Sequence, residues 1–321
     1  MKNFADSKVR PVDWLIEEFF PRKTVSLIVA PTGVGKSMIG LHLALSILAG
    51  RPWLGFPCLQ GAIGYWDQDN PDLDLTENRI CALAKGMGIE IPRNPPSLLF
   101  RTKGRIDTAR DLVLEKLIAI KAVALFVDTF AAVNPFNEND ANLMSQVVVD
   151  YFFPFVEAGI SVIPFHHPAK EIHLATKRQL LSFQRQGANA SRGSTGLPAA
   201  CGTVFNLVRD QQGSVSLVAA KPRYGNPPIL GIAYDEDGEM GTPDWTISIK
   251  PARPHASVES AVAFLDEMDP AASREISSRQ LVGLMTDSGY YMTQSTASRA
   301  LKSRASQGGS ANRPKMPDSA I

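Results

Sequence analysis

The sequence is poor in cysteine, evenly balanced in charge and without any long apolar run. Its three cysteines, Cys58, Cys81 and Cys201, form no CxxC pair. That argues against a disulfide framework or a cysteine-based zinc site, and it fits a reducing cytoplasm. With a formal net charge of +1, no whole-molecule attraction to nucleic acid or anionic membrane is predicted, and any such contact must be local. No apolar stretch approaches the roughly 20 residues that span a bilayer. The opening Met-Lys-Asn-Phe-Ala-Asp has no apolar core, so no signal peptide is expected. No internal repeat is found. A cytoplasmic protein without a membrane partner is the expectation.

The 321 residues suit one large α/β domain and a small appendage. From about residue 12 to 250, β-rich runs alternate with helical patterns. Strands are predicted at 24–30, 62–66, 97–101, 122–127 and 161–165, with helices at 36–48, 73–86, 109–120 and 142–157. Gly50 and Pro52 stop the first helix. This alternation predicts a mostly parallel sheet covered on both faces. Later strands at 204–208, 215–220 and 245–249 read as antiparallel. Pro251 and Pro254 mark 251–255 as a linker, and 256–304 carries three short helical patterns. Residues 305–321, rich in Ser, Gly and Pro, are expected to be disordered.

Ala30-Pro31-Thr32-Gly33-Val34-Gly35-Lys36-Ser37 matches the Walker A pattern, with Ala30 in place of its first glycine. Small residues let consecutive backbone N–H groups curl around phosphates. Pro31, Thr32, Gly33, Val34, Gly35, Lys36, Ser37 and Met38 are therefore the predicted nucleotide-binding residues. Lys36 places a point charge on the β/γ-phosphates, the Ser37 hydroxyl ligates Mg²⁺, and the following helix adds its N-terminal dipole. An aliphatic strand, Ala124-Leu125-Phe126-Val127, ends in Asp128, the Walker B arrangement for a second magnesium-shell ligand. MgATP is the predicted cofactor.

With these motifs the chain resembles the RecA/KaiC-like P-loop ATPases, an AAA-type ATPase domain, and within them the plasmid replicative helicase family of RepA. Val12-Asp13-Trp14-Leu15-Ile16 and Ala49-Gly50-Arg51-Pro52-Trp53-Leu54-Gly55 are similar to that family's flanking motifs. The resemblance covers most of the first 250 residues and implies a RecA-like core with a mostly parallel sheet. It places a water-polarising acid at Asp69, with Asp67 second, where Asp69-Asn70 stands for the family's usual Glu-Asp. A shorter Asp must sit closer to the water than a Glu. Phe165-His166-His167-Pro168-Ala169-Lys170 is similar to the family's sensor motif, implying that His166 and His167 report on the γ-phosphate. A core position is the alternative for these histidines, and adjacent strand residues pointing to opposite faces argue against a metal site.

In RecA-like relatives the next segment touches DNA. Here it carries Lys170, Lys177, Arg178, Arg185 and Arg192 against Glu171 alone, a stretch suited to a phosphate backbone, or simply a solvated basic loop. Residues 133–142 are a second candidate channel loop, weakened by Glu138 and Asp140. Lys221-Pro222-Arg223 resembles the basic motif that oligomeric relatives extend to a neighbour's γ-phosphate; surface ion pairing is the alternative. The three C-terminal helical patterns resemble a small winged-helix or helix-turn-helix unit, for DNA or for protein contact. The resemblance implies a ring-forming ATPase, most simply a hexamer, acting on single-stranded DNA as a replicative helicase does. The rival is a non-motor RecA/KaiC-like switch in recombination, repair or regulation.

Overall fold

A computed structural model describes residues 11–68, 73–90, 98–100, 104–168, 195–209, 213–225, 227–253, 255–268 and 276–307. The chain divides into two compact units, Met1–Ala252 and Arg253–Ile321.

The first unit is built on a nine-stranded sheet. Its strands are β3 (Ser26–Val29), β4 (Ala62–Asp67), β5 (Leu98–Phe100), β6 (Ala122–Asp128), β7 (Ser161–His166), β8 (Thr203–Arg209), β9 (Val215–Lys221), β10 (Leu230–Asp237) and β11 (Thr246–Pro251). A separate hairpin pairs β1 (Trp14–Ile16) with β2 (Phe20–Pro21). The sheet order is β11-β10-β9-β8-β3-β7-β6-β4-β5. From β8 to β5 every pairing is parallel, and β9, β10 and β11 continue antiparallel. This is the α/β class with a mostly parallel sheet that the alternating pattern predicts.

Helices cover both faces, as burial on both sides of β3, β6 and β7 requires. On one face Val29, Leu125 and Val127 share a core with Val113 and Leu117 of α3 (Ile106–Ala119), and with Phe152 and Phe155 further on. On the other face lies α1 (Lys36–Ala49). Its Gly40 leaves room for the sheet's aromatics, since a Cβ there would stand 2.6 Å from Phe165 Cζ. α2 (Leu73–Gly86) packs against α1 and against β11.

Three local differences from the sequence pattern have physical causes. The helix expected over 142–157 is α5 (Ala141–Val147), a π-helical turn (Val148–Phe152) and α6 (Phe153–Glu157). Pro154 lacks the N–H that a continuous helix needs. β11 runs through Pro251 into the expected linker, which an edge strand tolerates. β10 was not anticipated, because Asp235, Glu236 and Asp237 disfavour a strand locally; pairing with β9 and β11 overrides that preference. The last helix reaches Gln307, three residues into the expected disordered tail.

Among the described residues of the second unit, three helices share one core. Leu265 of Val258–Glu267, Leu281 and Met285 of Ser278–Asp287, and Ala297 and Ala300 of Gln294–Gln307 are buried together. A capping box formed by Ser277 and Gln280 starts the middle helix. Gly289 closes it: the Gly289 N–H reaches the Thr286 carbonyl and the Tyr290 N–H that of Met285.

Candidate nucleotide site

The parallel strands end at one edge, where α/β sheets bind ligands. β3 leads into the glycine-rich loop, whose residues Gly33 and Gly35 have φ of 78° and 97°. Such values suit glycine. Gly35 is the N-cap of α1 and offers no side-chain cap, and a helix N-terminus of this kind suits an anion. Ala30 is fully buried and its N–H donates to the His166 carbonyl at 3.0 Å, so a small side chain suffices at the position where the pattern has glycine. Thr32 and Gly33 are exposed, Pro31, Gly35, Ser37 and Met38 half-buried, and Val34 and Lys36 buried.

β7 lies between the two signature strands, pairing with β3 on one side and β6 on the other. Its end brings His167 Nε2 to 3.5 Å from Lys36 Nζ. The two histidines are therefore in different places. His167 stands beside the phosphate-loop lysine, while His166 is buried with its ring edge-on to Phe130, centroids 5.4 Å apart. Of the pair, His167 is the one beside Lys36.

Asp128 and Asp67 are register partners at the ends of β6 and β4, and both are buried. Asp128 Oδ2 accepts from the Tyr65 hydroxyl at 3.0 Å. Burial pushes the Asp128 carboxyl up from its ordinary pKa. The Ser37 hydroxyl, the Lys36 ammonium and Tyr65 pull it down, and Asp67 adds to the upward push. Burial, then the Asp128 charge and hydrogen bond, hold the Tyr65 phenol well above its usual pKa, so it remains a donor. Asp67 Oδ2 in turn accepts from Thr76 Oγ1 at 2.9 Å, tying the strand end to α2.

The residues present fit a magnesium ion. Asp128 Oδ1 is buried and makes no hydrogen bond among the described residues, and Ser37 offers a second hard oxygen. Phosphate oxygens and water complete such a shell in P-loop sites. Among the described residues no group of three or more His, Cys, Asp or Glu side chains forms a metal cage of its own.

A family model described as "AAA domain" matches residues 2–172, more than half of the 321-residue chain. The chain belongs to the AAA domain family. The match spans both signature strands, and together with the site it makes this AAA domain a P-loop ATPase domain. Comparison with curated proteins finds no match. Among solved structures, the AAA domain is similar to a KaiC-like protein from the hyperthermophilic archaeon Pyrococcus horikoshii. The two share 15% identity and a TM-score of 0.47 over 74% of this chain and 94% of that one.

Other predicted residues fall elsewhere in the chain. The Lys221 ammonium donates to the carbonyls of Pro198 (2.9 Å), Ala199 (2.7 Å) and Cys201 (2.9 Å) at the end of α7 (Gly196–Ala200). These three bonds match the three donors of an ammonium group. Arg223, two residues on, is exposed. Asp140 caps α5, accepting from the amides of Asn142 and Leu143, so this acid of the second candidate loop has a helix-capping task. Asp69, Lys170, Lys177, Arg178, Arg185 and Arg192 lie outside the described residues.

Tyr65, Thr76, Arg209 and Tyr234 escaped the sequence reading. Arg209 Nη2 donates to the Gly33 carbonyl at 3.2 Å, and the Tyr234 ring stands against Gly35. An aromatic in a strand and an arginine at a strand end are too common to stand out. For Tyr65, its place two residues before Asp67 in a fully parallel strand was the available signal.

Proposed function

We propose that this chain is an ATP-hydrolysing nucleic-acid motor that forms a ring, most simply a hexamer, and moves on single-stranded DNA in the manner of the RepA-type replicative helicases. The observation that carries the ATPase part is the meeting of Lys36, His167, Ser37 and Asp128 at the carboxyl edge of the sheet.

In this reading the loop amides and Lys36 hold the β/γ-phosphates, and Ser37 and Asp128 hold Mg²⁺. When bound, the ion neutralises charge that develops on the transferred phosphoryl group. Tyr65 keeps Asp128 ionised and oriented. Asp69, or Asp67, polarises the attacking water, and Arg223 from an adjoining subunit steadies the transition state. The basic residues between Lys170 and Arg192 follow the DNA backbone by salt-dependent, sequence-independent contacts. Support for the motor comes from the sequence resemblance and from that basic run.

Steady-state ATP hydrolysis with and without single-stranded DNA, together with mass measurement in the presence of nucleotide, tests the proposal. Stimulation by DNA and a ring-sized mass are expected. Slow turnover that ignores DNA would sink the motor and leave a nucleotide-gated switch.

A further inference from the structure

Glycines at 33 and 35 permit the curl of the phosphate loop but do not enforce it, since glycine has more conformational freedom than any other residue. Two outside restraints stand against the loop, both from strands beyond the P-loop strand. Arg209, the last residue of β8, donates to the Gly33 carbonyl at 3.2 Å. Tyr234 of β10 covers Gly35 so closely that a Cβ there would lie 2.7 Å from its hydroxyl oxygen and 3.0 Å from Cζ.

In a trans peptide the C=O and the following N–H lie in one plane and point in opposite directions. Holding the Gly33 carbonyl towards Arg209 therefore turns the Val34 N–H away from Arg209. The donor is a guanidinium, so the bond is charge-assisted, weakened here by the exposure of Arg209. Tyr234 acts through volume. Its hydroxyl is buried and makes no hydrogen bond among the described residues, and burial raises its pKa, opposed by the Arg209 charge. It is a neutral phenol wedged against the loop.

We propose that Arg209 and Tyr234 are positioning residues that hold the phosphate loop in its anion-binding curl before nucleotide arrives, Arg209 through the Gly33 carbonyl and Tyr234 by filling the space over Gly35. This rests on the ATPase reading above. A loop that is already curled spares the ligand the ordering cost of binding. Because ground state and transition state use the same loop, its loss raises KM more than it lowers kcat.

The test titrates the full-length chain calorimetrically with magnesium and a non-hydrolysable ATP analogue, and separately with magnesium and inorganic tripolyphosphate. Arg209→Ala is expected to weaken both ligands by about tenfold, the scale of one hydrogen bond to a charged group. Arg209→Lys should recover part of that loss, and Tyr234→Phe should bind better than Tyr234→Ala. Circular dichroism confirms that each variant is folded. Parental affinity in Arg209→Ala would overturn the proposal. So would a loss confined to the nucleotide and absent for tripolyphosphate, which would put Arg209 on the base or sugar instead of the loop. Lys36→Ala separates the two claims: if the parent binds neither ligand and Lys36→Ala changes nothing, the ATPase reading fails, and not merely the restraint.

Discussion

Asp128 sits at the end of β6 where burial favours its protonated form, while its work requires the anion. Tyr65, Ser37 and Lys36 oppose burial. Tyr65→Phe removes one of these aids and should raise the Asp128 pKa further. Activity that depends on the anion disappears as pH falls through that pKa, so the acid limb of kcat/KM should move to higher pH. Turnover near neutrality should drop by roughly five- to tenfold, about the worth of one hydrogen bond. An unmoved profile would mean that Tyr65 only packs. Lys36→Ala should abolish turnover, measured as phosphate release, because no other cation in the loop replaces its contact with the β/γ-phosphates. At this scale Lys36, Ser37 and Asp128 were legible because phosphate chemistry ties them to short local motifs. Tyr65, Arg209 and Tyr234 were not, since their roles arise from contacts between strands distant in sequence. The three carbonyl partners of Lys221 at the end of α7 are equally invisible in a linear pattern.

Among the elements, α1 is buried along most of its length and carries His42 inside. Burial lowers the His42 pKa from 6.5 to about 4. The folded state thus binds fewer protons than the unfolded state between those values. Its stability contribution is complete above pH 6.5 and is lost as pH falls towards 4, by up to about 3 kcal/mol. Urea midpoints of the parent should fall more steeply over this range than those of His42→Gln; parallel slopes would remove His42 as the cause. At the end of α2, a Cβ on Gly86 would lie 2.1 Å from the Ile247 carbonyl oxygen of β11. Gly86→Ala must separate two backbones, so a cost of about 1–3 kcal/mol and a lower melting temperature are expected. A melting curve like the parent's would show that the helix gives way freely. The long periodic helices and buried strands were readable from composition and spacing. β10 and the break at Pro154 were not, because there tertiary pairing and one missing N–H outweigh local preference.

For the whole molecule, the question is whether one subunit completes the site of another. Arg223 is exposed beyond β9, and its proposed task lies in an adjoining subunit. Lys36→Ala and Arg223→Ala should each be inactive alone. Mixed together they should regain part of the parental turnover, because a Lys36-bearing site can then meet an Arg223-bearing neighbour. A mixture as inert as its parts would confine Arg223 to its own chain. The chain divides near residue 252, between Pro251 and Pro254, and no pattern in a single chain specifies how many copies close a ring.

β7 is bonded on one side to the strand that launches the phosphate loop and on the other to the strand that ends in Asp128. Side chains alternate along a strand, so adding or losing one residue within Ser161–His166 would invert the remainder and shift two ladders together. Variation in this segment should consequently take the form of exchanges of one amino acid for another, with insertions and deletions purged: the hexapeptide is free in spelling but fixed in length.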